Sequence, residues 1–206
     1  MSEGKAKLKV ALIGNPNSGK TSLFNQLTGL HQKVGNFPGI TVEKKSGYFH
    51  TSKYKVQVVD LPGTYSLDPR SMDEKVAAQA ISDKNNPDHP QLVLIIVDAS
   101  HLKTSLYLAL QVLEREIPAI LVMNMSDQLL RLGSEFDLEV LAQEMGVPIV
   151  KTNARDGSGI DDLTNGIDGH ELKAPVPAWI GEKVERHQII RAMIAKAKGN
   201  EKVTEH

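Results

Sequence analysis

The chain of 206 residues contains no cysteine, so disulfides, iron–sulfur clusters and thiol catalysis are excluded within it. It also lacks an excess of either charge: 24 Lys+Arg stand against 25 Asp+Glu, a formal net charge of −1. That balance gives no general attraction to nucleic acid, although it leaves room for a local patch. No apolar run approaches the ~20 residues needed to span a bilayer, and the N-terminus has no signal-peptide core. The sequence therefore reads as a soluble, cytosolic piece. Histidines occur at 31, 50, 89, 101, 170, 187 and 206, none three or four residues from another, which is the spacing of surface or loop histidines rather than metal ligands. Internal repeats and low-complexity segments are absent. The length suffices for one well-buried α/β domain with a small appendage.

Against these absences one stretch stands out, Gly14-Asn15-Pro16-Asn17-Ser18-Gly19-Lys20-Thr21, followed by Ser22. An apolar run at 8–13 precedes it and a helical pattern at 22–27 follows, the strand–GxxxxGK[ST]–helix order of a phosphate-binding loop. Glycines let the backbone curl so that successive N–H groups point at phosphate oxygens, and the helix N-terminus adds partial positive charge. Lys20 would bridge the β- and γ-phosphates, and the Thr21 hydroxyl would ligate magnesium.

Gly29 should end the first helix, and residues 31–41 read as an extended polar loop. Residues 44–50 and 53–60 read as an antiparallel hairpin with Asp60 at the C-terminal end of its second strand. A helix is expected over about 72–81. Residues 92–97 form a continuous apolar run, as a strand buried on both faces should. Residues 102–116 are helical in period, and 117–123 form another buried strand. A helix through Leu138 to Met145 is stopped by Gly146, a last strand covers 147–150, and Gly159 opens a further helix. Strands alternating with helices imply a mainly parallel sheet covered on both faces, with ligands bound beyond the carboxyl ends of its strands. The motifs fall at such ends. Residues 7–168 are thus one domain, 169–179 a proline-containing linker, and 180–199 a C-terminal helix.

Asp60-Leu61-Pro62-Gly63 fits DxxG: the carboxylate would hold magnesium through a water, and the Gly63 N–H would face the γ-phosphate. In Gly39-Ile40-Thr41, Thr41 can complete the magnesium shell when that phosphate is present. Asn124-Met125-Ser126-Asp127 fits NxxD, where Asp127 would accept from guanine N1–H and N2–H2, a pair adenine cannot offer. The plainer alternative is a helix N-cap at Ser126 or Asp127. Asn124 would tie this loop to the phosphate loop. Thr152-Asn153-Ala154 would lie beside the base, the Ala154 N–H donating to O6. In this order the motifs predict GTP and GDP binding on an α/β, Ras-like P-loop GTPase fold. Its six-stranded, mainly parallel sheet would have helices on both faces and a short C-terminal helical appendage.

The chain resembles the N-terminal cytosolic GTPase domain of FeoB ferrous iron transporters. The resembling residues are 14–25, 34–43 (Val-Gly-Asn-Phe-Pro-Gly-Ile-Thr-Val-Glu), 60–67 (Asp-Leu-Pro-Gly-Thr-Tyr-Ser-Leu) and 97–100 (Val-Asp-Ala-Ser). The likeness covers about residues 7–168. It implies slow GTP hydrolysis on the cytoplasmic face of a bacterial inner membrane. The partner would be a membrane transport domain in the same polypeptide if the chain continues. Asn153 departs from the usual Ser or Thr, and one clear helix follows where the family carries several.

Ras-like enzymes place a glutamine directly after DxxG; here that position is Thr64. The resemblance implies that potassium supplies the missing charge, held by Asn17 and by main-chain carbonyls near Gly35 and Phe37. The catalytic set is then Asn17, Lys20, Thr41 and Gly63, and residues 35–41 and 63–68 are the segments a γ-phosphate orders. Two other functions compete. One is a free-standing potassium-activated GTPase of the tRNA-modification or ribosome-assembly type, but neither an RNA-binding domain nor a basic face is visible in the linear sequence. The other is a non-hydrolytic sensor, but Lys20 and Thr41 are both present. The C-terminal stripe Ile189, Ile190, Met193, Ile194, Ala197 must be buried, either near residues 161–167 or in a homo-oligomer contact.

Overall fold

A computed structural model describes residues 5–124, 136–175, 177, 179–180 and 184–198. The strands are β1 (Ala6–Gly14), β2 (Gln32–Asn36), β3 (Glu43–His50), β4 (Tyr54–Asp60), β5 (Leu92–Asp98), β6 (Ala119–Asn124) and β7 (Ile149–Lys151). The helices are α1 (Lys20–Thr28), α2 (Met72–Ser82), α3 (Leu102–Leu113), α4 (Leu138–Met145), α5 (Ile160–Gly169) and α6 (Arg186–Ala197). One seven-stranded sheet runs in the order β2-β3-β4-β1-β5-β6-β7. The pairs β1–β4, β1–β5, β5–β6 and β6–β7 are parallel, whereas β2–β3 and β3–β4 are antiparallel.

The mainly parallel α/β fold is as expected, but the sheet has seven strands rather than six. The extra strand is β2, which lies within the segment read as a loop. Four of its five residues are exposed, because it is an edge strand beside the end of the sheet. Without a buried face it carries no alternating pattern to betray it.

All seven residues of β5 are buried, as an interior strand with parallel neighbours on both sides and helices on both faces requires. On one sheet face Ala11, Ile13, Val93, Ile95, Leu121 and Met123 pack against α2, α3, α4 and α6. On the other, Leu12, Leu94, Ile96 and Val122 meet Leu23 and Phe24 of α1 and Leu163 and Ile167 of α5. Leu23 and Phe24 are fully buried. Each contributes about 1.5–3 kcal/mol to holding α1, and so the phosphate loop, in place.

The C-terminal helix begins at Arg186 rather than at Ile180, which stands in a turn. Its stripe is buried within its own chain, but not against residues 161–167. Ile190, Met193 and Ala197 join the core on the α3/α4 face, while Leu163 and Ile167 lie on the opposite face. Three further contacts hold it there. Arg186 makes a two-pronged ion pair (2.9 and 2.8 Å) with Glu114, which caps the C-terminus of α3, His187 stacks on Tyr107 at 4.9 Å, and the Asp137 N–H donates to the Ala197 carbonyl at 2.8 Å.

After α5 the chain is pinned by His170. Its Nδ1 accepts the Leu172 N–H at 2.9 Å and its Nε2 lies 3.2 Å from the Ala119 carbonyl, so the proton belongs on Nε2. Burial lowers the pKa of this ring, although the Ala119 carbonyl and Glu171 oppose the shift. The neutral form is therefore favoured in the folded state. The stability it lends is complete above the ordinary imidazole value of about 6.5 and is lost as pH falls below it. Urea midpoints measured on either side of that value should show this loss, and His170→Gln should reduce it.

Candidate functional site

The site lies where β1, β4, β5 and β6 end. Residues 15–19 leave β1 and turn into α1 through Gly19, which has φ 85° and caps the helix without a side-chain bond. This left-handed conformation is one that glycine adopts without steric cost. The first-turn N–H groups of α1, from Lys20, Thr21 and Ser22, have no intrahelical acceptor and face outward as an anion-binding end. Gly14 closes β1 and Asn15 is buried, while Pro16 and Asn17 are exposed at the loop tip. Asn17 has φ 63°. Ser18 Oγ, Asn15 Oδ1 and Thr152 Oγ1 are buried with no hydrogen-bond partner among the described residues.

Lys20 and Asp60 form a buried ion pair, with side chains only 10% and 5% exposed. Thr21 Oγ1 lies 3.4 Å from Asp60 Oδ2. A hydroxyl and a carboxylate brought together here are hard oxygen donors of the kind that hold magnesium, directly or through a water. The loop after Asp60 stays bonded to β1, with the Leu61 N–H donating to the Leu12 carbonyl and the Thr64 N–H to that of Gly14, both at 3.1 Å. Gly63 is thereby laid over the phosphate loop, where a Cβ would stand 3.1 Å from Pro16 Cα. Only glycine permits this approach without displacing the backbone. Thr64 is fully buried and its hydroxyl donates to the Ser66 carbonyl at 2.6 Å, so it is unavailable to orient water.

Residues 37–42 form the tip of the β2–β3 hairpin. Phe37 is buried, its N–H donates to the Val42 carbonyl at 2.9 Å, and its own carbonyl accepts from Ile40 at 3.3 Å. Gly35 lies in β2 opposite Lys44. Gly39, Ile40 and Thr41 complete the turn, with Thr41 exposed. No hydrogen bond among the described residues joins Thr41 to Asp60 or Thr21.

Asn124 ends β6 at 1% exposure. Its Nδ2 donates to the Ser18 carbonyl at 2.8 Å and its Oδ1 accepts the Ala154 N–H at 3.1 Å. One buried amide thus joins the phosphate loop to the loop after β7. The Ala154 N–H, expected to meet guanine O6, is engaged by Asn124 here, because a buried amide oxygen needs a donor. Thr152 is buried and donates its N–H to the Met123 carbonyl at 2.9 Å. Asn153 holds its own loop together, donating from Nδ2 to Asp156 at 2.9 Å and accepting the Arg155 N–H at 3.1 Å. Met125 and Asp127 lie outside the described residues.

Three contributors were given no part in the site by the sequence. Gln26 of α1 donates to the Ala154 carbonyl at 3.3 Å, a second tie between phosphate and base loops. Asp98, at the end of β5 beside Asn124, has its carboxyl raised by burial. Hydrogen bonds from Ser100 and His101 outweigh this and bring it below the ordinary range. Gln111, 3% exposed on α3, accepts the Leu67 N–H at 2.7 Å and donates to the Asp68 carboxylate at 2.9 Å. It latches the segment after DxxG to a helix whose C-terminus is capped by Glu114, the partner of Arg186. In the sequence it is only a polar gap in an apolar stripe, with nothing to announce its partner. Gln111→Leu should cost about 1–3 kcal/mol, since the Leu67 N–H loses its acceptor. Urea denaturation checks the cost. If the latch serves the site, GTP turnover should fall while GDP affinity stays near that of the parent.

The model of the family described as ferrous iron transport protein B matches residues 8–167. The Fe(2+) transporter FeoB of Salmonella typhimurium is 46% identical over 168 residues, which is 80% of this chain and 21% of that protein. That of Escherichia coli K12 is 44% identical over 174 residues, 82% of this chain and 22% of that protein. The chain thus spans about a fifth of the length of these curated relatives. Among solved structures, the cytosolic domain of T. maritima FeoB in a GDP form is similar with TM-score 0.74 and 42% identity, over 79% of this chain and 62% of that one. The cytosolic domain of L. pneumophila FeoB is similar with TM-score 0.74 and 30% identity, over 92% of this chain and 94% of that one. Asn124 ties the phosphate loop to the base-side loop and DxxG is bonded to the end of β1, and with this site the match over residues 8–167 and the identity to these relatives place the chain in the ferrous iron transport protein B family, as its N-terminal G domain.

Proposed function

We propose that this chain binds GTP and GDP and slowly hydrolyses GTP, as the regulatory domain of a ferrous iron transporter on the cytoplasmic face of a bacterial inner membrane. The observation that carries it is the convergence of Lys20, Thr21 and Asp60 beneath the N-terminus of α1. Lys20 would leave Asp60 for the β- and γ-phosphates as they enter. Asp60, Thr21 and Thr41 would then hold magnesium, which neutralises charge on the phosphates. The Gly63 N–H, laid over the loop, would meet the γ-phosphate. Asp127 would select guanine. With Thr64 turned away, no side chain follows DxxG to orient water.

Asn17, exposed at the loop tip, would hold potassium with carbonyls near Gly35 and Phe37, and the cation would supply charge at the β–γ bridge. The transporter role rests on the relatives, which are Fe(2+) transporters and are about five times longer than the matched region.

The test is calorimetry with GDP, GTP and ATP, followed by phosphate release with and without magnesium, in potassium and in sodium. Guanine nucleotides should bind at least about a hundredfold more tightly than ATP. Turnover should require magnesium, rise in potassium, and lose that rise in Asn17→Ala with GDP affinity kept. Equal affinity for ATP and GTP would overturn the nucleotide assignment. Equal turnover in both salts would overturn the potassium site alone.

A further inference from the structure

On the α2 side of the sheet, the strands farthest from β7 leave a face that no helix among the described residues covers. Directly opposed residues of paired strands project to the same side. Here Lys7 is in register with Lys55, His50 with Lys55, and Lys33 with Ser46. His31, Gln32, Lys33, Tyr48, His50 and Lys55 line a shallow open depression of about 310 Å³ on this face. Lys7, His31, Lys33, His50 and Lys55 are all exposed. Lys55 Nζ lies 5.4 Å from the centre of the Tyr48 ring.

The acidic residues nearby are accounted for. Asp88 pairs with Lys44 at the upper border of the face, where Lys9 is also engaged, by the Pro87 carbonyl at 2.8 Å. Glu43 pairs with Lys45 and Asp60 lies opposite Lys45, on the other side of the sheet. Asp168 is occupied with Thr51 and the Ser52 and Lys53 N–H groups at the β3–β4 turn. A chain with net charge −1 therefore presents one local face on which, among the described residues, these strands place cations and no carboxylate.

We propose that this face is a docking surface for the anionic phospholipid headgroups of a membrane. Charge complementarity selects an anionic occupant, and the geometry selects its kind. The depression is too open to enclose a small ligand, which a binding pocket would surround on most sides. Its lysines are hydrated point charges, without the arginine forks that read nucleic acid phosphates. Tyr48 gives the amphipathic ring that belongs at a membrane–water boundary. Lysines near an anionic leaflet each add attraction that salt screens. The surface is separate from the nucleotide site; the proposal takes only its location beside a membrane from the transporter reading. Docking would also touch β2, the strand leading to the hairpin tip that carries Thr41.

The test is co-sedimentation of the chain with vesicles of phosphatidylcholine, alone or mixed with phosphatidylglycerol, at low and high salt. Binding should need phosphatidylglycerol, disappear at high salt, and fall by about tenfold or more in Lys33→Glu/Lys55→Glu. The milder Lys33→Gln/Lys55→Gln pair covers the case in which charge reversal prevents folding, and should show a smaller loss in the same direction. GDP binding, measured on the same samples, should be unchanged by both pairs. Vesicle binding without GDP binding would sink the nucleotide assignment and leave the docking surface standing. GDP binding with no preference for phosphatidylglycerol, or with both variants binding vesicles like the parent, would overturn the docking surface alone. Soluble polyglutamate binding with no vesicle binding would also overturn it, in favour of an acidic protein partner.

Discussion

Lys20→Ala should abolish measurable GTP hydrolysis, lowering turnover by at least about a hundredfold, and should weaken GTP binding as well. It should also destabilise the protein without nucleotide. Lys20 is the charged partner of Asp60, whose side chain is only 5% exposed, so its removal strands a buried carboxylate. Breaking a buried pair from one side costs about 3–5 kcal/mol. Asp60→Asn in the Lys20→Ala background removes the stranded charge and should return much of the stability but none of the activity. Urea denaturation of the parent, both single variants and the double variant reads the coupling directly. Lys20→Arg should not rescue turnover, because a planar fork cannot replace a point charge in a closed loop. GTP affinity and turnover equal to the parent's in Lys20→Ala would remove this loop from the mechanism.

Asn124→Ala should have the second largest effect, acting on binding and folding together. The amide satisfies the Ser18 carbonyl and the Ala154 N–H, both inside the fold. Truncation leaves two buried groups unpaired at about 1–3 kcal/mol each, so a loss of roughly 2–6 kcal/mol is expected. It also uncouples the phosphate loop from the loop after β7, so GDP affinity should fall by about a hundredfold or more. Asn124→Asp separates the two bonds. It keeps an acceptor for Ala154 but turns a carboxylate oxygen on the Ser18 carbonyl, so it should bind GDP nearly as poorly as Asn124→Ala. If Asn124→Asp binds GDP like the parent, the Ser18 contact is not what holds the site together.

These two residues show unequal shares of sequence and structure. Lys20 was legible because its motif is local: strand, glycine loop and helix are continuous, and the backbone N–H groups need no distant partner. Asp60 and Asn124 were legible as ends of buried strands, since apolar runs of strand length mark the parallel sheet. What each end touches was only partly so. The link from Asn124 to the phosphate loop was expected, but its claim on the Ala154 N–H was not. Gln111 was invisible, because its partners at Leu67 and Asp68 lie more than forty residues away and nothing in helical periodicity names them.

The sequence by itself determined the elements whose cause is local. These are the phosphate loop, the buried parallel strands, and the helix stops at Gly29 and Gly146. Tertiary structure decided the rest, for reasons of packing. Strand β2 exists because β3 offers it a free edge, not because its own residues alternate. The apolar stripe of α6 required burial but did not specify where. The site on α3 and α4 is chosen by Glu114, Tyr107 and the Asp137 N–H, groups brought together only when the sheet has formed. The basic face around Tyr48 arises the same way: its lysines are scattered along β1, β2 and β4, and strand register alone gathers them on one side.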